Sequence, residues 1–270
     1  MLPYIDPRVY QITFLSLLLF FGNAFRGFEV PLPSIYSVLL ITTFGQFIWI
    51  QLRKLPLSTF LSSTISGLSI LLLCRSNNIE ILWFVGILSI SSKYWLTFKG
   101  KHFANPTNFG ILLAVLMGKA WVSPGQWGAD FTMAAWCGIL GLLVVVRSAR
   151  FDTAFIFLGT YSVLLAFRVQ YLGQSPAILW HQLSSGTLII FSFFMISDPR
   201  STPDHLMSRW IFATGVALLT FYLRFWHFVP AAPLWALFFM SPLTVILDKI
   251  WIHSRFQWRS PYANYTVSHS

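Results

Sequence analysis

The chain has 270 residues, of which 56% are hydrophobic and only 10% charged, with a formal net charge of +10 and a mean hydropathy of +0.68. Soluble domains do not carry this balance, and once the apolar runs are laid out no stretch remains for a soluble catalytic domain. The two distant cysteines, Cys74 and Cys137, and the six scattered histidines exclude a CxxC motif, an iron–sulfur pattern, a disulfide framework and metal-ligand spacing.

A spanning helix needs about 20 mostly apolar residues. Ten such segments follow one another: Val9–Phe25, Ser34–Gln51, Leu57–Cys74, Ile81–Phe98, Thr107–Val122, Phe131–Val146, Thr153–Tyr171, Ala177–Ile196, Leu206–Arg224 and Ala232–Ile252. They do not alternate as barrel strands do. The expected fold class is an all-α integral membrane protein of about ten transmembrane helices, a single polytopic membrane domain over residues 1–270. Two inverted five-helix halves would give this number, although the residues show no repeat. Asp6, Pro7 and Arg8 precede the first span and no small-residue cleavage site follows, so that span reads as an uncleaved anchor. Trp121 and Trp127 flank the loop Ser123–Gln126, where interfacial aromatics belong.

Lys and Arg favour cytoplasmic loops. With ten spans, the termini and the even-numbered connections share a side, and that side holds thirteen of the eighteen cations, Arg8, Lys101, Arg200 and Lys249 among them. The other side holds Arg26, Arg75, Lys119, Arg168 and Arg224. The reading is a protein of the bacterial cytoplasmic membrane with both termini cytoplasmic. The bilayer accounts for the basic charge, and no nucleic-acid partner is implied.

Two polar strings interrupt this oily chain. The first, Lys101-His102-Phe103-Ala104-Asn105-Pro106-Thr107-Asn108-Phe109-Gly110, opens span five; the second, Ser197-Asp198-Pro199-Arg200-Ser201-Thr202-Pro203, follows span eight. On the expected topology both face the cytoplasm. Asn105 reads as an N-cap and Pro106 as the first helical residue. The free N–H groups of such a start attract anions or ligand oxygens, Lys101 adds a cation, and Asn108 adds donors and an acceptor for a planar heterocycle. Plain capping explains the same residues. Asp198 reads as a turn cap or a partner of Arg200. Ser184-Ser185-Gly186-Thr187 lies in the first half of span eight, where small residues allow close helix packing or leave room for a flat ligand.

Other ionisable groups in spans are functional candidates by default, and they are few. Lys119 can snorkel. Glu80 and Asp130 stand at span starts, Asp152 reads as a cap of span seven, Asp248 as a local partner of Lys249, and His181 as a polar interface residue. No charged ion relay is visible.

The first string, together with Ser185-Gly186-Thr187 and Phe193-Phe194-Met195-Ile196-Ser197-Asp198-Pro199, resembles the RnfD/NqrB family, ten-helix membrane subunits of ion-translocating electron-transport complexes. The resemblance runs from the fourth span to the last. It implies a flavin, FMN or riboflavin, and a quinone and other membrane redox subunits as partners. It also implies a cofactor site among Lys101, Asn105, Pro106, Asn108, Ser185, Gly186, Thr187, Asp198 and Thr202. In the family FMN is esterified through its phosphate to the threonine of a Ser-Gly-Ala-Thr string. Here that register places Thr187 at the alanine and Leu188 at the acceptor, and leucine has no hydroxyl. One residue turns about 100° around a helix, so noncovalent flavin is the expectation. A channel or permease, or an accessory membrane protein that has lost its cofactor, remains open on the same scaffold.

Overall fold

The computed structural model describes residues 6–25, 27–122, 139, 141–142 and 150–256. The expected span Phe131–Val146 lies outside the described residues except at positions 139, 141 and 142, and the Ser123–Gln126 loop, Trp127, Asp130, Cys137, Arg26, Arg147 and Arg259 lie outside them altogether.

The described chain is mostly helical: α1 Pro7–Phe25, α2 Leu32–Arg53, α3 Phe60–Leu73, α4 Ile79–Trp95, α5 Pro106–Leu116, α6 Phe151–Tyr171, α7 Pro176–Leu183, α8 Gly186–Ile190 continued by a π turn over Phe191–Met195, α9 Leu206–Phe225 and α10 Ala232–Ile250. Five of these, α1, α2, α6, α9 and α10, are long and apolar enough to cross a membrane, and α7 with α8 makes a sixth candidate span bent by 50°. The ten expected spans therefore reduce to five or six among the described residues. The cause is local. Helix α3 has 14 residues, α4 has 17 and α5 has 11, because a 3₁₀ turn over Leu57–Thr59 leads into α3 and short extended segments interrupt the apolar runs between and after these helices.

Four two-residue strands form these segments. β1, Cys74–Arg75, pairs antiparallel with β4, Trp121–Val122, and β2, Thr97–Phe98, pairs antiparallel with β3, Lys101–His102. The β2–β3 turn needs left-handed backbone at Lys99 (φ 48°) and Gly100 (φ 81°), which glycine adopts without strain.

Several hydroxyls inside the helices are satisfied by the turn before them, which suits a medium without water. Thr42 Oγ1 donates to Val38 O at 2.9 Å, Ser192 Oγ to Leu188 O at 2.6 Å and Ser241 Oγ to Leu237 O at 2.7 Å. Small residues bring helices close. A Cβ on Gly110 of α5 would lie 2.7 Å from Val85 O of α4, and one on Gly67 of α3 would lie 2.8 Å from Thr42 Oγ1 of α2. The larger contacts link α1–α5 with one another (α4 on α5, α2 on α3 and α4, α1 on α3) and α6, α9 and α10 with one another, and α5 joins the two groups through α10.

Candidate functional site

One end of the bundle is built around the two polar strings. The β2–β3 hairpin returns the chain after α4, and Phe103 N donates to Leu96 O at 3.2 Å. Asn105 then caps α5, its Oδ1 accepting from Asn108 N at 3.1 Å, with Pro106 at the first helical position. Its other side-chain group, Nδ2, donates to Met195 O at 3.3 Å, so the start of α5 is bonded to the end of the π turn after α8. The strings thus share an end of the molecule.

Lys101 is held in a buried ion cluster. Its Nζ lies 2.8 Å from Asp248 Oδ2 and 3.0 Å from Asp204 Oδ2. Asp204 also takes Arg150 Nη2 at 3.3 Å, and Asp204 N donates to Asp248 Oδ1 at 2.9 Å. Asp248 therefore pairs across the bundle with Lys101, and Lys249 stands over the Phe98 ring instead. Asp152 was expected to cap span seven; α6 has no side-chain cap, and the Asp152 carboxylate pairs with Arg209 Nε at 2.5 Å. Both local expectations fail for one reason. A charge at a helix end in a low-dielectric region gains more from an opposite charge than from a neighbour that faces outward.

Asp198 organises the second string. Its Oδ1 accepts from Arg200 N at 3.1 Å and its Oδ2 from Ser201 Oγ at 3.0 Å, and Thr202 Oγ1 donates to Asp198 O at 3.0 Å. This is an Asx turn. His102 Nε2 lies 3.7 Å from Asp198 Oδ2, a close electrostatic contact beyond hydrogen-bond length. Burial lowers the His102 pKa against the opposing pull of Asp198. Burial raises that of Asp198, but the His102 ring, the Arg200 N–H and the Ser201 hydroxyl outweigh it, so the carboxyl stays below its ordinary value.

A cavity of about 70 Å³ opens between these elements, walled by Arg8, Ser62, Lys93, His102, Asn105, Asp198 and Arg200 among others. Lys93, near the end of α4, is buried, and its Nζ donates to Ser62 O and Ser62 Oγ, each at 3.1 Å. Asn108 lies one turn into α5. Its Nδ2 donates to Leu234 O at 2.9 Å, while its buried Oδ1 has no partner among the described residues.

The other end holds the third group. Ser185, Thr187 and Leu188 line a cleft of about 270 Å³ with Arg224, Phe228 and the segment Val229–Pro233. Gly186, Thr187 and Leu188 are buried. Arg224 is partly buried at the end of α9, and no carboxylate lies within 4.0 Å of it among the described residues. Ten residues of α8 and its π turn separate this cleft from Asn105, about 15 Å at 1.5 Å per residue.

The structure therefore brings Lys101, Asn105, Pro106, Asp198 and Thr202 together, sets Asn108 one turn deeper, and places Ser185, Gly186 and Thr187 at the opposite end. Sequence reasoning did not single out Lys93, Arg8 or Arg224. Lys93 carried a usable signal, a lone cation inside an apolar run. No local signal places Arg8 or Arg224 at a cavity.

These features define a polytopic helical membrane protein with two short helices, α5 and α8, whose ends meet beside a polar cavity. The chain belongs to the NQR2, RnfD, RnfE family, whose model matches residues 36–257. It is 35% identical over 72 residues to the D subunit of an ion-translocating oxidoreductase complex from Stutzerimonas stutzeri, a match covering 27% of this chain and 20% of that one. A protein of the same description from Halorhodospira halophila (strain DSM 244 / SL1) is 30% identical over 71 residues, 26% of this chain and 20% of the relative. Each match thus reaches over about a fifth of the curated relative, while the family match covers most of this chain and bears out the resemblance read from the polar strings.

Proposed function

We propose that this chain is the membrane subunit of an electron-transport complex and that it holds a flavin, FMN or riboflavin, without a covalent bond in the cleft beside Ser185 and Thr187. The observation that carries the reading is Arg224, a partly buried guanidinium with no carboxylate within 4.0 Å among the described residues, in one cleft with Ser185 and Thr187. A guanidinium presents a planar fork suited to a phosphate. The two hydroxyls supply hydrogen bonds to ring or ribityl oxygens, and Phe228 supplies an aromatic wall. The volume of about 270 Å³ lies just under the usual range of roughly 300–1,000 Å³ for small-molecule sites, so a flavin fits with part of its length in the bilayer interface. Leu188 offers no oxygen for an ester. A bound flavin supplies one- and two-electron transfer, and the protein binds and orients it. The residues of the inner strings serve this site by fixing the far end of α8, through Asn105 on Met195 O and the Asp198–Thr202 turn.

The same proposal includes ten crossings, both termini in the bacterial cytoplasm, and partner proteins that deliver and remove electrons, one of them acting on a quinone. The described flanks of the expected sixth span support the count. Trp121–Val122 is paired with Cys74–Arg75 at one end of the bundle, and Arg150 is bonded to Asp204 at the other. The division of contacts into α1–α5 and α6–α10 agrees with two halves.

The test is the visible absorption of the detergent-purified chain. A flavin band is expected, with colour released by acid precipitation, and Arg224→Gln is expected to lower FMN occupancy more than riboflavin occupancy. Yellow colour that survives a denaturing gel would place an ester on Thr187. A colourless preparation that binds neither added FMN nor riboflavin would overturn the proposal and favour an accessory protein without cofactor.

A further inference from the structure

We infer that the cavity between α4, β3 and the Asp198 turn is a binding site for a small monovalent inorganic anion of halide size. The cavity wall carries a surplus of positive charge. Three cationic side chains, Arg8, Lys93 and Arg200, wall the cavity, together with His102. Two carboxylates answer them: Asp6, bonded to Arg8 at 2.6 Å, and Asp198, bonded to the Arg200 N–H and the Ser201 hydroxyl. Lys93 is left with neutral acceptors alone, Ser62 O and Oγ, and no carboxylate lies within 4.0 Å of its Nζ among the described residues. It is more than nine-tenths buried, its exposure being 8%. A buried ammonium without a counter-charge is costly, and an ammonium has three donors, of which Ser62 can occupy two.

Space decides the size of the counter-charge. The cavity offers about 70 Å³, against roughly 10–15 Å³ for each enclosed water on the same measure. A halide with one or two waters fits; a flavin, a quinone head or a nucleotide does not. The donors around it are fixed by packing: Lys93 through Ser62, and His102 by its place in β3. An anion seated here would neutralise the surplus charge and tie α3, α4 and the Asp198 turn together. The inference is independent of the flavin cleft at the other end.

The experiment uses the full chain in detergent, free of added redox cofactor, with sodium chloride compared against sodium gluconate at equal ionic strength. Chloride is expected to raise Tm saturably and gluconate not to do so, because a ligand that binds only the folded state stabilises it by mass action. Lys93→Met is expected to weaken the apparent chloride affinity by about tenfold or more, the size of one lost charge-assisted hydrogen bond, while Lys54→Met, on the exposed end of α2, leaves it unchanged. Should Lys93→Met fail to fold, bromide-soaked crystals of the wild-type chain read the same point. An anomalous peak within hydrogen-bond distance of Lys93 Nζ supports the site, and its absence at saturating bromide overturns it. Equal melting curves in chloride and gluconate, or a Lys93→Met variant that keeps the full chloride shift, would show that Lys93 has no bound counter-ion and would overturn the inference.

Discussion

Lys101 lies between two carboxylates, and its removal leaves Asp204 and Asp248 close to each other with Arg150 as their remaining ion-pair partner among the described residues. Breaking a buried ion pair by deleting one partner costs about 3–5 kcal/mol, so Lys101→Met is expected to lower Tm sharply and to speed thermal inactivation in detergent. A Lys101→Met protein that melts like the wild type would show the cluster to be unimportant for stability. His102 and Asp198 make a second residue-scale case. Burial holds the His102 pKa below its ordinary 6.5, so as pH falls the unfolded imidazole takes its proton first. Its contribution to stability is complete above the unfolded value and declines as pH falls toward the folded one. Asp198, also shifted down, contributes above its ordinary 3.8 and is lost only in stronger acid. As pH falls below the ordinary 6.5, the histidine therefore contributes a downward slope. Tm is expected to fall over this range in the wild-type chain and to fall less in His102→Gln; equal slopes would remove His102 from the account.

The packing of α5 on α4 depends on the missing side chain of Gly110. An added methyl group there would meet Val85 O at 2.7 Å, and backbone cannot step aside. Overpacking of this kind costs about 1–3 kcal/mol, against about 0.5–1 kcal/mol gained by replacing a helical glycine with alanine, so Gly110→Ala is expected to lower Tm. Gly159 in α6 is the matched control. Nothing among the described residues stands within 4 Å of its added Cβ, and Gly159→Ala is expected to leave Tm unchanged or raise it. A stabilised Gly110→Ala would mean that α4 and α5 are not in close contact. The elements that could be read from sequence are those whose signal is local. The long apolar runs gave α1, α2, α6, α9 and α10, and Asn105-Pro106 marked the start of α5. The shortening of α3 and α4 could not be read, since each strand that ends them has two residues and no alternation. The ion cluster was hidden for another reason: Lys101 and Asp248 are 147 residues apart, and nothing beside either residue announces the other. The small cavity was equally hidden, because it is a property of packing between α1, α3, α4 and the two strings.

At the scale of the whole molecule, the described chain begins and ends on one side. Arg8 walls the cavity beside His102 and Asp198, and Phe256 N reaches Asp204 Oδ1 at 3.4 Å, in the cluster that holds Lys101. The opposite side carries Arg75 paired with Trp121, the turn at Gly173 and the Arg224 cleft. Two ends on one side require an even number of crossings, whatever the lengths of the individual helices. The proposed orientation puts that side in the cytoplasm, because on the expected ten-span topology the side of Arg8, Lys101 and Arg255 holds thirteen of the eighteen Lys and Arg, and cytoplasmic loops are enriched in these residues. Cysteine labelling in intact cells tests both steps in a chain whose Cys74 and Cys137 have been replaced by alanine. Gln174→Cys, beyond α6, is expected to react with a membrane-impermeant maleimide added outside, and Ser254→Cys to react only after the cells are opened. Reaction of Ser254→Cys alone in intact cells would reverse the orientation and leave the even count standing. Reaction of both from outside would break the two-sided arrangement itself, and with it the assignment of the Arg224 cleft and the Lys93 cavity to opposite faces of the membrane.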